Sequence, residues 1–182
     1  MTSETPDATD PTEIVAIAWG GIDASIGCVL MELWVRSTNA AGARMIGTRD
    51  PVLVHYEVLK GLSNFESELL ALFETRGAKN DALPPVAAPL PAWDDGPELS
   101  SPKAYQHFCE GLGYVDVDAE LGALRLWFET RAVSLIDRNR KEDIYGAEYL
   151  IAHRALADYH DGLRKVLRKM ESVGIGVATK PH

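Results

Sequence analysis

The stretch from Tyr149 to Val173, YLIAHRALADYHDGLRKVLRKMESV, has the clearest periodicity in the chain. From Tyr149 an apolar or small residue returns at Ala152, Leu156, Tyr159, Leu163, Val166, Met170 and Val173, in alternating steps of three and four. That spacing lays one stripe along a helix. The same beat runs through Val15, Trp19, Ile22, Ile26, Val29 and Leu33. Two such seams at opposite ends of the chain predict antiparallel helices that pack knobs into holes.

Working inward from these seams gives an all-α fold: an up-down bundle of four long helices with a proline-rich insertion and one short helix. Helix one covers about 13–37, with Thr12 as N-cap, and carries a small-residue strip at Ala16, Gly20, Ala24 and Gly27. Asp50-Pro51 opens helix two, whose seam is Val58, Leu62, Phe65, Leu69 and Leu72 and whose stop is Gly77. Over 78–100, five prolines and the Asp94-Asp95-Gly96 turn exclude regular helix. Leu83, Val86, Leu90 and Trp93 are too apolar for a solvated linker, so this excursion is expected to lie across the surface. Ser101-Pro102 opens the short helix. Asp118 caps helix three, which ends near Arg140, and helix four runs from about Ala147 to Val173. Tyr114 to Val117 is the only alternating run that suggests a strand. The domain organisation that follows is a disordered lead-in over 1–11, one domain over 12–173 and a flexible tail over 174–182.

Composition narrows the function classes. The 182 residues carry a net charge of −9. Residues 1–124 hold 7 Lys/Arg against 19 Asp/Glu, whereas residues 125–170 hold 10 against 7. Net acidity disfavours RNA, because each phosphate contact works against long-range repulsion. The acidic N-terminus is the reverse of a secretory leader. Asp23 sits in the middle of the apolar run 14–34, where a carboxylate costs about 2.5–3.5 kcal/mol in a membrane-spanning helix. These features predict a cytoplasmic protein without a membrane span. Cys28 and Cys109 have no close-spaced partner and read as buried thiols.

No motif names a reaction. His153 and His160 share a helical face, but Glu148 is five residues from His153, so no metal site is expected. Cys109 and His107, two apart, would point away from each other on a helix. No phosphate loop or cofactor fingerprint is present, and no cofactor is expected.

One resemblance remains. The sequence reads Trp19-Gly20-Gly21-Ile22-Asp23 in its first apolar segment and Arg138-Asn139 near the end of the third, followed by Gly146 and a final amphipathic helix. This order resembles the HEPN superfamily of nucleotide-binding helical domains, in which an Arg-Asn-x-x-x-His motif follows an opening helix with an aromatic-glycine turn. In this chain Asp143 stands where that motif places its histidine. An aspartate lacks imidazole chemistry near neutral pH and repels phosphate. The resemblance therefore implies a non-catalytic helical module that forms a homodimer or binds a protein partner. Two alternatives accompany it. A metal-independent RNase would use Arg138, Asn139, Arg154 and His160 across a dimer cleft, and a small-ligand-sensing bundle would use Trp19 and Gly20.

Overall fold

In a computed structural model the chain is a β-barrel with three helices. It describes residues 12–77, 82–86, 89–91, 93, 104–137, 139–140 and 142–177. The elements in order are β1 (Thr12–Asp23), β2 (Cys28–Thr38), β3 (Arg44–Thr48), β4 (Val52–His55), α1 (Tyr56–Asn64), α2 (Glu66–Arg76), β5 (Tyr105–Asp118), β6 (Ala123–Ser134), β7 (Asp143–Ala152), a 3-10 turn (His153–Ala155) and α3 (Leu156–Ser172). Hydrogen-bonded neighbours run β1-β7-β6-β5-β4-β2-β3, and β1 also pairs with β2. Six strands therefore close on themselves, with β3 as a flap on the outer half of β2. The β1–β7 and β4–β5 pairs are parallel and the remainder antiparallel.

This overturns the all-α bundle. Expected helix one is the β1–β2 hairpin, with Glu13 opposite Arg36 and Asp23 opposite Cys28. Ile14 to Ala18 is buried without a break. A strand covered on both faces loses its period-two signature, so a helical spacing can be drawn through it as readily. The local turn decides the outcome. Asp23 Oδ1 accepts from the Ser25 amide (3.0 Å) and hydroxyl (2.5 Å), and Gly27 takes a positive φ of 67°. Gly20 and Gly21 fall where the β1–β2 register slips, between Trp19 and Ile22, so they serve a bulge and not a helical packing strip.

The other expected helices divide in the same way. Helix two is β4 followed by α1 and α2, and Gly77 ends it in the left-handed conformation (φ 64°). The start of the expected short helix, Ser101-Pro102, lies outside the described residues; from Tyr105 onward it and the Tyr114–Val117 run are both parts of β5. Helix three is β6. Asp118 does accept an amide hydrogen bond, from Leu121 at 3.0 Å, but in the β5–β6 turn. Helix four is half strand: β7 carries residues through Ala152, and only Leu156–Ser172 is α-helix. Its stripe is real, with Leu156, Tyr159, Leu163, Val166 and Met170 all buried. Beyond the helix Ile175 is also buried, and its amide donates to the Met170 carbonyl at 3.1 Å.

The helices plug one end of the barrel. Leu59 and Leu62 of α1 and Tyr159 and Leu163 of α3 meet Ile14, Ile17, Trp19, Met31, Leu33, Leu126 and Phe128 from the strands around a void of about 10 Å³. The described part of the proline-rich excursion, 82–86, 89–91 and 93, packs against the barrel and α3. Arg36 donates to the carbonyls of Pro84 (2.7 Å) and Pro85 (3.3 Å), and Arg154 to those of Leu83 (2.6 Å) and Pro84 (2.9 Å). Trp93 packs edge-on against Tyr159, with ring centroids 5.9 Å apart.

Candidate functional site at the open end of the barrel

Met31, Leu33 and Phe128 line the plugged interior on one side and a second cavity on the other. This second cavity, about 100 Å³, opens at the end of the barrel away from the helices. There the lining changes from apolar to polar: Arg49, Asp50, Thr130, Tyr145 and Tyr149 join Val52.

Register places the polar groups. His107 on β5 lies opposite Val52 on β4 and Ala132 on β6, and Thr130 on β6 lies opposite Tyr145 on β7. Asp50 is delivered by the three residues, Arg49 to Pro51, that separate β3 from β4. His107 is only 7 % exposed and Thr130 only 3 %. The histidine sits between two partners: its Nε2 is 3.6 Å from Asp50 Oδ2, and its Nδ1 is 3.3 Å from the Tyr145 hydroxyl. Burial pushes the Tyr145 phenol above its ordinary value; the hydrogen bond from Thr130 opposes this, and the Asp50 charge adds to it. Tyr105 extends the aromatic wall outward, 6.4 Å from His107 by ring centroid, with the Arg140 guanidinium over its face at 5.4 Å.

A carboxylate, a phenol and a hydroxyl thus line the cavity, with the buried imidazole behind them touching the first two. The buried imidazole can donate through one nitrogen and accept through the other, so the array can hold a ligand's hydrogen-bonding group or pass a proton along it. Asp50 is largely open to solvent, and Arg49 beside it offers a cation at the rim.

Within one chain, the described residues singled out from sequence for catalysis lie on separate elements. Arg138 lies outside the described residues. Asn139 follows Asp137 in an exposed turn, its amide donating to Asp137 Oδ1 at 3.0 Å. Arg154 faces Glu13 and the 83–84 carbonyls. His160 is buried on α3 against the Tyr159 ring, and its Nε2 has no hydrogen-bond partner. Trp19 lines the plugged void, which at about 10 Å³ has room for one water at most. Gly20 belongs to the β1 bulge. The helical-module reading falls with the helices it required.

His107 was visible in the sequence only as a neighbour of Cys109, and Asp50 only as a helix cap. No local signal joins them to Thr130 and Tyr145, because four separate segments supply the site. Among the described residues no three His, Cys, Asp or Glu side chains are grouped to hold a metal ion, and no helix is long and apolar enough to cross a membrane. No family model matches the chain, and no curated protein or solved structure matches it either.

Proposed function

We propose that the chain binds a small organic acid at the open end of its barrel. The ligand's acidic group would meet Arg49 at the rim, and its hydrogen-bonding groups would meet Tyr145 and Asp50 on the wall, with His107 behind them. The observation that carries this reading is the buried His107, held behind the wall of an outward-opening cavity between a carboxylate and a phenol that do line it. A barrel needs no polar cluster inside to be stable. Burying imidazole and hydroxyl groups costs free energy unless they find partners, and an apolar residue of similar size would avoid that cost. Small-molecule sites commonly sit in barrel mouths where a few polar groups converge on an apolar lining, as they do here.

The test is a screen of short carboxylic acids, α-amino acids and monosaccharides by thermal shift and amide chemical-shift mapping. The expected result is saturable binding by an acid, with shifts centred on β5, β6 and β7 near His107, Thr130 and Tyr145. Arg49→Ala and His107→Gln should each weaken that binding at least tenfold without lowering the melting temperature by more than a few degrees. Binding that both variants leave unchanged, or a screen with no acid binding, refutes the reading.

A further inference from the structure

Beyond the barrel mouth, the wall between β4 and β5 is incomplete. The parallel ladder joining them has only two pairs, Val52 with His107 and Leu53 with Phe108. The chain then turns into α1 at Tyr56, while β5 continues to Asp118 along β6. On its other side, beyond Phe108, no described strand pairs with β5. Outside the β5–β6 ladder, residues 111–115 make no backbone–backbone hydrogen bond among the described residues, although the Gly111 amide is engaged by the Cys109 sulfur. In place of a strand there is a groove of about 450 Å³ between α1 and this edge, continuous at Phe65 and Tyr114 with a second of about 320 Å³ beside α2. Phe65 stands 50 % exposed between them.

Three glycines keep the groove open. A Cβ at Gly61 on α1 or at Gly113 on β5 would meet nothing within 4 Å, and one at Gly111 would make only an ordinary contact with Glu129. None of the three has the positive φ that would demand glycine. Each weakens its own helix or strand; Gly111 falls at a β5–β6 register slip and serves the bulge there, but Gly61 and Gly113 have no such reason within the fold. A chain laid against the β5 edge needs the clearance they leave. The rim is acidic: Arg76 is occupied by Asp116, whereas Glu57 and Glu68 have no ion pair among the described residues.

We infer that this groove takes an extended segment of a partner protein, alternating apolar and polar residues with a basic residue at each end, which adds to β5 as a strand. Unpaired edge amides and carbonyls supply the affinity in such strand addition, and side pockets select alternate residues. Here the pockets flank Phe65, and the two free carboxylates select the basic ends. The stretches 1–11, 78–81, 94–103 and 178–182 contain no alternating apolar run in sequence, and the charged residues of the first are all acidic, so none of them has the pattern the groove selects.

The probe is an acetylated, amidated octapeptide, Lys-Val-Thr-Val-Thr-Val-Thr-Lys, titrated against the full chain by fluorescence anisotropy. Binding should weaken at least tenfold when alternate peptide amides are N-methylated. It should weaken as much in Gly113→Val, which fills the groove with a better strand former and should leave the melting temperature equal or higher. The double variant Glu57→Lys/Glu68→Lys should bind more weakly and lose the salt dependence. Equal affinity for the N-methylated peptide, preference for a helical leucine-lysine peptide, or no binding at millimolar concentration overturns the inference. So does self-association that Gly113→Val abolishes, since the occupant would then be a second copy. Arg49 and His107 lie outside the groove, so their variants leave this binding intact if the two sites are independent.

Discussion

Glu13 is the residue whose removal should be felt most widely. It is 4 % exposed and its partner Arg36 is 8 % exposed. Arg36 Nε donates to Glu13 Oε2 at 3.0 Å, and Nη2 donates to the same oxygen. A second guanidinium, that of Arg154, stands 3.7 Å from Oε1. Both arginines also donate to the carbonyls of residues 83–85. Glu13 is thus the counter-ion beneath two cations that strap the proline-rich excursion to the barrel. Glu13→Ala leaves Arg36 buried without compensation, a loss that costs about 3–5 kcal/mol when one partner of a buried pair is deleted. Arg154→Ala removes a third-exposed side chain and two carbonyl hydrogen bonds, and solvent screening limits that loss to about 1–2 kcal/mol. For a chain of this size, roughly 2–4 °C per kcal/mol turns the Glu13→Ala cost into about 6–20 °C of melting temperature. Urea unfolding followed by circular dichroism measures the change, and limited proteolysis reports release of residues 82–86. A Glu13→Ala variant within about 1 kcal/mol of the parent would refute the argument. So would a Glu13→Ala/Arg36→Ala double variant whose cost equals the sum of the singles, because a coupled pair must fall short of that sum.

Two further outcomes follow from single positions. Burial holds the His160 imidazole below its ordinary value, with Glu66 opposing the shift and Arg164 adding to it. Above the unfolded value of about 6.5 the ring is neutral in both states; as pH falls from there toward the lowered folded value, only the unfolded chain gains a proton and stability drops. His160→Gln should flatten that drop in urea titrations between pH 7 and pH 5, and an unchanged slope counts against it. Gly176 has φ 72°, and a Cβ there would overlap the Tyr56 ring, whose hydroxyl donates to Glu171 at 2.7 Å. Gly176→Ala should therefore cost about 2 kcal/mol, the left-handed penalty plus the displaced ring; a change under 0.5 kcal/mol, on the scale of an indifferent surface substitution, would mean that the chain after α3 is not docked.

What the sequence made legible was local. The α3 stripe and the αL stop at Gly77 each rest on residues close in sequence, and both survive; Asp118 keeps a capping hydrogen bond, but in a β-turn and not at a helix start. The error lay in the period assigned to the apolar runs. Ile14–Ala18 is buried on both faces, and so is most of 28–35, with only Glu32 and Trp34 partly open. Neither run therefore shows the alternation that marks a half-exposed strand. The β-branched content of those runs and the Asp23–Gly27 turn between them were hairpin signals, and they outweigh a helical spacing that a continuous apolar run satisfies by default.

The barrel mouth was illegible for a different reason. Arg49 and Asp50 belong to a connector, His107 to β5, Thr130 to β6 and Tyr145 to β7, and only the closure of six strands brings them together. In the sequence each looks ordinary: a capping aspartate, a histidine beside a thiol, a strand threonine. Closure also creates the groove. The β4 strand is four residues long because His55 caps α1, its ring nitrogen accepting from the Glu57 amide at 3.2 Å, and the chain leaves the sheet there. β5 has no such stop until Asp118. One early helix start therefore leaves the α1-facing edge of β5 without a described strand beyond Phe108, and the glycines at 61, 111 and 113 keep that edge within reach of a strand from another chain.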